Sequence, residues 1–80
     1  MEETSSLLDV RGLCCPLPVL KANKALRALP PGARLTVLAT DPAAVKDFAA
    51  YAEETGHALL SSTAEEGGVF RFLLQRRAAP

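Results

Sequence analysis

Tryptophan is absent from this sequence, and large aromatic residues of any kind are scarce. Three phenylalanines and one tyrosine are spread over 80 residues, and nine basic residues balance nine acidic ones to a formal net charge of zero. Strong binding of bare nucleic acid relies on a positively charged surface, often with aromatic side chains for stacking. The composition therefore argues against a strong nucleic-acid binder, and the charge does not call for an anionic membrane.

Long apolar runs and spaced metal ligands are also missing, and we expect no leader peptide from the first residues. No apolar stretch approaches membrane-spanning length, and the acidic start at residues 1–4 lacks the parts of a secretory signal. We therefore expect a cytoplasmic protein without membrane insertion, in a compartment where thiols stay reduced. One histidine, His57, and two adjacent cysteines do not supply the spaced ligands of a structural zinc site, so we expect neither a metal nor a cofactor.

The chain does contain enough apolar material for one small core. A hydrophobic fraction of 49% over 80 residues predicts a single domain, residues 1–80, with an ordered core from about 6 to 76. We expect it to be a monomer. Two adjacent cysteines cannot staple such a fold, because a bridge between neighbours closes a small strained ring.

Alternation and helical periodicity predict the element order βαβαββ. The predicted strands cover residues 6–10, 34–40, 57–64 and 69–76, the predicted helices about 15–29 and 42–55, and a tight turn 65–68. Parallel crossovers are right-handed, so two crossovers that step the same way place both helices on one face of the sheet. The fold class is therefore α/β (α+β), a two-layer sandwich of a mixed four-stranded sheet under two helices.

Each predicted helix has an inward face that its apolar residues define. In the first helix the inward residues are Val19, Ala22, Leu26 and Leu29. In the second they are Val45, Phe48, Ala49 and Ala52. Gly56 follows the second helix, where a left-handed C-cap belongs.

The most informative stretch is the loop and helix start at residues 12–18, which holds both cysteines. Proline is tolerated in the first helical turn, so Cys15 is predicted as the N-cap with Pro16 and Pro18 inside the helix. Pro18 has no N–H, which leaves the N–H of Leu17 as the donor to the Cys15 side chain. This donor and the helix dipole favour a thiolate, so we expect Cys15 to be substantially ionised at neutral pH.

A structural interpretation of Cys15 stays open beside this one, because an unpaired cysteine is often a buried apolar residue. Two further side chains have alternative roles. Asp41 is expected as the N-cap of the second helix, with a polar contact near the sulfur as the alternative; there its charge would raise the thiol pKa. Asp9 is expected to accept hydrogen bonds from N–H groups of the loop.

The pattern Gly-Leu-x-Cys-Pro-x-Pro at residues 12–18, preceded by Leu8-Asp9, resembles the signature of the TusA-like (SirA-like) sulfur-carrier family. Asp41-Pro42 and the strand ending at residues 70–74 extend the likeness to about residues 7–77. The resemblance implies that Cys15, the cysteine before the first proline, carries a persulfide, and that Cys14 inherits no role. The supporting residues are then Asp9, Gly12, Pro16, Leu17 and Pro18.

What the resemblance implies is a sulfurtransferase-type carrier, not a stand-alone turnover enzyme. Its partners would be a sulfur donor, either a cysteine desulfurase or a rhodanese-like protein, and an acceptor enzyme. The relayed sulfur would serve 2-thiouridine formation in tRNA, sulfur oxidation or cofactor assembly. A basic set on and before the first helix is either a solvated surface or a docking face: Arg11, Lys21, Lys24 and Arg27.

Two other functions compete with the carrier hypothesis. One is a non-enzymatic RNA- or protein-binding module of the same fold, against which the balanced charge and few aromatics argue. The other is a thiol redox regulator that uses Cys14 and Cys15. The missing spacer argues against it, because redox pairs usually have two residues between the cysteines.

Overall fold

The computed structural model describes residues 5–78, which form four strands, two α-helices and one short 3-10 turn. The strands are β1 (Ser5–Asp9), β2 (Arg34–Ala39), β3 (Ala58–Ala64) and β4 (Phe70–Gln75). The helices are α1 (Leu17–Arg27) and α2 (Ala43–Thr55), and the 3-10 turn is Glu66–Gly68. The predicted order and the turn before the last strand are confirmed. Each strand end lies within one residue of its predicted position, whereas α1 is shorter than predicted at both ends.

The four strands form one mixed sheet in the order β1-β2-β4-β3. β1 and β2 are parallel with Leu7 opposite Thr36, while β4 is antiparallel to β2 with Phe72 opposite Val37. β3 pairs antiparallel with β4, and its register shifts between Leu59 and Ser61. Both crossovers therefore step the same way across the sheet, which places α1 and α2 together on one face as predicted.

The core lies between the helices and the sheet. From β2, Leu35, Val37 and Ala39 point into it, and Phe48 of α2 packs against Phe72 of β4 with ring centroids 4.6 Å apart. The remaining fully buried apolar residues are Val10, Ala22, Leu26, Ala44 and Leu74. The other sheet face carries no helix among residues 5–78, and Leu7 on that face is 64% exposed.

The predicted inward face of α2 is wrong at two positions. The buried residues are Ala44, Phe48 and Tyr51, whereas Val45 and Ala49 are exposed. The residues at 44, 48 and 51 follow helical spacing as well as the predicted set does. Tyr51 decides which of the two faces is buried. Its hydroxyl donates to Asn23 on α1, so its ring can be buried while the hydroxyl keeps a hydrogen bond.

The end of α2 follows the prediction. Gly56 has a φ of 84°, a left-handed conformation that favours glycine, and its N–H donates to the carbonyl of Ala52 at 3.0 Å. Neither α-helix within the described residues has the length and apolar content that a membrane span needs.

Candidate functional site

The loop between β1 and α1, residues 10–16, is built from two consecutive turns. The N–H of Leu13 donates to the carbonyl of Val10 at 3.2 Å, which places Gly12 at the third turn position with a φ of 86°. That conformation is open to glycine and rarely to other residues. The N–H of Leu17 then donates to the carbonyl of Cys14 at 2.9 Å, so Cys15 lies at the corner of the second turn.

Side chains from the connection between β2 and α2 hold this loop in place. The hydroxyl of Thr40 accepts from the N–H of Gly12 at 2.9 Å, and the carboxylate of Asp41 accepts from the N–H of Cys15 at 2.6 Å. The two connections meet here because the carboxyl ends of parallel strands lie at the same edge of a sheet. Cys15 is therefore mounted on a hydrogen-bonded corner.

Asp41 is not the N-cap of α2, because Pro42 holds that position, but its carboxylate accepts N–H groups both at the helix start and in the cysteine loop. One carboxylate oxygen accepts from Cys15, and the other accepts from the N–H of Ala43, the first residue of α2, at 3.0 Å. These two N–H groups stabilise the ionised carboxylate and lower the pKa of Asp41 below its ordinary value. A single negative charge thus bonds to the start of α2 and anchors the cysteine loop.

The predicted N-cap role of Cys15 is wrong. α1 begins at Leu17, and its first backbone bond runs from the N–H of Leu20 to the carbonyl of Pro16, which is the N-cap residue. The Cys15–Pro16 peptide bond is cis. The N–H of Leu17 does not point at the Cys15 sulfur, because the carbonyl of Cys14 accepts it. Pro18 thus lies in the first turn of the helix as expected, whereas Pro16 is the N-cap and Cys15 precedes it.

The Cys15 thiol faces carboxylates, which contradicts the expected thiolate. The side chain is exposed, and its S–H donates a hydrogen bond to the carboxylate of Asp47. This bond raises the pKa of Cys15 above its ordinary value. Some desolvation of the sulfur and the charges of Asp47 and Asp41 act in the same direction, and neighbouring Cys14 adds to them. These interactions therefore favour the neutral thiol of Cys15 over the thiolate.

Asp47 is the site residue that the sequence reasoning missed. It lies in the second turn of α2, at the third position after Ala44 and directly before Phe48. Residues 44, 47, 48 and 51 make one i, i+3, i+4, i+7 stripe, so Asp47 is a charged residue inside the buried stripe of the helix. A charged residue on such a stripe is the signal that could have identified it.

A shallow groove between α1 and α2 begins at Cys15. Its volume is about 250 Å³, and apolar side chains from both helices form most of its wall, among them Val19, Leu20 and Tyr51. Asp47 and Glu54 add two carboxylates along the α2 side. The sulfur thus lies at the end of an apolar groove with an acidic border.

Asp9 and Arg11 form a local pair at the start of the loop. The carboxylate of Asp9 accepts from the backbone N–H of Arg11 at 3.0 Å and from its guanidinium at 2.8 and 2.9 Å. These bonds lower the pKa of Asp9 to about 2. The expected hydrogen bond from a loop N–H to Asp9 is therefore present, and the positive charge of Arg11 is paired.

The structure does not bring the predicted basic set together as one surface. Arg11 is paired in the loop, whereas Lys21 and Lys24 are exposed along α1. Arg27 ends α1 and lines a cleft at the far end of the helix from Cys15. Within residues 5–78, no group of three or more His, Cys, Asp or Glu side chains could hold a metal ion.

Comparison with known proteins agrees with this geometry. The family model described as sulfurtransferase TusA matches residues 6–76. The sulfur carrier protein TusA of Allochromatium vinosum is 50% identical over 76 residues, which are 95% of this chain and 99% of that protein. The sulfur carrier protein TusA of Pseudomonas syringae pv. tomato is 36% identical over 73 residues, 91% of this chain and 86% of its own.

A solved structure also shares the fold. The SirA-like protein of Desulfitobacterium hafniense superposes with a TM-score of 0.80 at 27% identity, covering 90% of this chain and 97% of that one. With the family model spanning almost the whole described sheet and both helices, the chain belongs to the TusA sulfurtransferase family.

Proposed function

We propose that this protein is a sulfur carrier and that Cys15 is the residue that holds the transferred sulfur as a persulfide. The observation that carries this proposal is the exposed Cys15 thiol on a loop corner that Thr40 and Asp41 hold in place, within a chain of the TusA family. A carrier needs an accessible sulfur on a rigid base so that it can enter the active site of another protein.

The proposed transfer is a thiol–persulfide exchange. The Cys15 sulfur attacks the outer sulfur of a persulfide on the donor protein, and a new S–S bond forms as the old one breaks. The inner sulfur of the donor leaves as a thiolate and takes up a proton. The thiol of Cys15 loses one proton, and no net oxidation occurs. The same exchange, run with the acceptor, discharges Cys15.

Asp47 takes part in the proton step of this exchange. The thiol must lose its proton before it attacks, and the carboxylate of Asp47 already accepts that proton in a hydrogen bond. Because the neutral thiol is favoured, exchange with stray disulfides in solution is slow. We infer that a docked donor supplies the positive charge or base that releases the thiolate.

The docking edge of the carrier is the end of the helical layer around Cys15. Of the five large apolar side chains exposed in the described part of the chain, three lie near the starts of the helices: Leu17, Leu20 and Val45. Exposed apolar side chains beside a reactive group favour contact with a partner surface. Lys21 and Lys24 remain candidates for the rim of this contact.

The donor is either a cysteine desulfurase or a rhodanese-like protein, and the acceptor is an enzyme of tRNA thiolation, sulfur oxidation or cofactor assembly. We propose the cytoplasm as the compartment, because two exposed free cysteines keep their reduced form there. The single domain, residues 1–80, would act as a monomer that shuttles between these partners.

Sulfur loading of two serine variants tests the proposal. Cys15→Ser and Cys14→Ser are each incubated with a cysteine desulfurase and cysteine, and the intact mass is read before and after reduction. We expect Cys14→Ser to gain one reducible sulfur and Cys15→Ser to gain none, with both variants folded by circular dichroism. Loading of folded Cys15→Ser, together with loss of loading in folded Cys14→Ser, would assign the carrier role to Cys14 instead.

A further inference from the structure

A second concave surface lies at the other end of the helical layer. A cleft of about 640 Å³ opens between the end of α1, the end of α2 and the residues that follow β4. Four basic or amide side chains and one acid decide its chemistry: Asn23, Arg27, Glu54, His57 and Arg77. The 11 residues of α1 separate it from the cysteine loop by about 15 Å at the rise of an α-helix.

His57 presents a fixed N–H donor to this cleft. Its side chain is 9% exposed, and its Nδ1 accepts the backbone N–H of Arg77 at 3.0 Å. A neutral imidazole whose Nδ1 accepts a hydrogen bond carries its proton on Nε2. Nε2 has no partner of its own, and no unpartnered side-chain nitrogen or oxygen is sealed from solvent within residues 5–78. The Nε2–H group therefore reaches solvent, and His57 is one of the residues that line the cleft.

Asn23 presents a second donor whose orientation is also set from behind. Its Oδ1 accepts the hydroxyl of Tyr51 at 2.8 Å, so the carbonyl side of the amide is occupied. The NH2 group is left with its two hydrogens available on the side of the cleft that Asn23 lines. Both donors are thus oriented before any ligand arrives, which reduces the entropy that binding would cost.

The cleft carries a net positive charge, although the formal net charge of the whole chain is zero. Arg76 donates to the backbone carbonyls of Arg27 and Leu29, which fixes its guanidinium over the end of α1. The guanidinium groups of Arg27 and Arg77 have no ion-pair partner among the described residues. Among residues 5–78, Glu54 is the one acid of the lining, which also contains the three cations Arg27, Arg76 and Arg77.

We propose that this cleft binds a phosphate-class tetrahedral oxyanion. Arginine matches the oxygens of such a group with paired N–H donors, and the two neutral donors from His57 and Asn23 approach it from other directions. The volume exceeds that of a bare anion, which leaves room for the group to which a phosphate is attached. The cleft does not touch Cys15, so this proposal is independent of the sulfur-carrier function.

The lowered pKa of His57 is consistent with an anion site that has no ligand bound. Burial, together with the charges of Arg77 and Arg76, lowers the pKa of His57. A bound anion adds negative charge beside the imidazole and opposes this effect. By linkage, binding should therefore raise the pKa of His57.

The test is a nuclear magnetic resonance titration of the full chain with inorganic phosphate at constant ionic strength, with chloride as the matched salt. We expect saturable shifts at the His57 imidazole and the Arg77 amide with phosphate and none with chloride. Arg27→Gln and Arg77→Gln should each weaken the Kd about tenfold, the scale of one charge-assisted hydrogen bond. Glu54→Gln should tighten it.

Lys21→Gln is the matched control, because it removes one positive charge from α1 outside the cleft and should leave the Kd unchanged. A parallel titration with a short single-stranded oligoribonucleotide distinguishes the source of the phosphate. Binding of inorganic phosphate alone identifies a free oxyanion, and tighter binding of the oligonucleotide through the same residues identifies RNA. Shifts that do not saturate, that chloride reproduces, or that respond equally to Lys21→Gln and Arg27→Gln would overturn the proposal.

Discussion

The two ends of the helical layer have opposite chemistry. At the end where α1 and α2 begin, the carboxylates of Asp41 and Asp47 surround an exposed thiol. At the end where the helices finish, Arg27 and Arg77 surround a nearly buried imidazole. One pair of helices thus holds an acidic sulfur site and a basic cleft about 15 Å apart along α1.

This arrangement follows the helix dipoles. Negative side chains are favourable near helix N-termini and positive ones near C-termini, because the backbone carries partial charges of opposite sign there. Asp41 accepts from the first N–H of α2, and Arg76 donates to the carbonyl of Arg27, the last residue of α1. The sign of the charge at each site therefore agrees with the backbone partial charge of the helix ends beside it.

The charges at the acidic end also explain why a position near a helix start does not lower the pKa of Cys15 here. A helix terminus carries the equivalent of about half a charge, whereas an adjacent carboxylate carries a full one. Two carboxylates close to Cys15 outweigh the dipole, so they raise the thiol pKa. A reactive cysteine is recognised by all the charges around its sulfur and not by its position alone.

The largest effect is expected from Phe48→Ala, which should destabilise the whole fold and with it both the cysteine site and the basic cleft. Phe48 is fully buried and packs against Phe72 and Tyr51. Removal of a buried phenylalanine side chain costs about 3–5 kcal/mol, and a domain of this size has only about 4–12 kcal/mol in total. Urea denaturation followed by circular dichroism measures the loss.

Val45→Ala is the control on the same helix. Val45 is 40% exposed, so its loss should change the unfolding free energy by about 0.5 kcal/mol or less. An equal cost for Val45→Ala and Phe48→Ala would mean that the packing of α2 differs from the one described.

The sequence predicted the fold well because short-range patterns determine most of it. Alternation of Leu35, Val37 and Ala39 predicted β2, and Asp41-Pro42 predicted the start of α2. The errors lie where a distant group decides the local structure. The N–H of Cys15 bonds to Asp41, which is 26 residues away, and a local N-cap rule cannot anticipate that contact.

The same limit applies to the two sites. Cys15 was identified from its motif, but the protonation of its thiol depends on Asp47 on another helix. Thr40 and Asn23 are ordinary polar residues in the sequence, and only their partners Gly12 and Tyr51 give them a role. Short polar side chains have many possible partners, so their contacts follow from the fold and not from residue type.

His57, in the cleft at the end of the helices, should make the stability of the fold depend on pH. The pKa of His57 is lowered in the folded protein, so the unfolded chain binds the extra proton first, near the ordinary histidine value of about 6.5. Stability should therefore be complete above that pH and fall as the pH drops toward the folded pKa. The slope from this one group is at most about 1.4 kcal/mol per pH unit. Urea denaturation at a series of pH values measures it.

His57→Asn is the matched variant for this experiment, because an amide oxygen can still accept the N–H of Arg77 while the titrating group is gone. The dependence on pH just below neutrality should become flatter in this variant. An unchanged slope would show that another group causes the loss of stability.

At the acidic end, Asp47→Asn should make the Cys15 thiol more reactive. The substitution removes the negative charge beside the sulfur and the carboxylate that accepts the thiol hydrogen bond. The pKa of Cys15 should therefore fall toward its ordinary value. Alkylation of Cys15 at neutral pH should become several-fold faster, with its pH midpoint shifted down. Cys14→Ser is used as the background so that one thiol is measured.

Glu53→Gln controls for a general change of charge on α2, since Glu53 is exposed and does not line the groove. Its alkylation rate should match that of the Cys14→Ser background. If Asp47→Asn slows alkylation, or if both substitutions accelerate it equally, the hydrogen bond from Cys15 to Asp47 does not control the thiol.

Apart from the controls, the smallest effect is expected from Tyr51→Phe, which tests whether the cysteine site and the basic cleft can be changed independently. Tyr51 lines the groove with its ring and donates its hydroxyl to Asn23, which lines the cleft. Loss of this hydrogen bond should cost about 0.5–1.5 kcal/mol in unfolding free energy, because the buried ring contacts with Phe48 and His57 remain. Without the hydroxyl, the amide of Asn23 is free to rotate, so the phosphate Kd should weaken modestly. Alkylation of Cys15 should stay unchanged, since the thiol contacts Asp47 and not the phenol. A change in alkylation with an unchanged phosphate Kd would mean that Tyr51 supports the sulfur end instead.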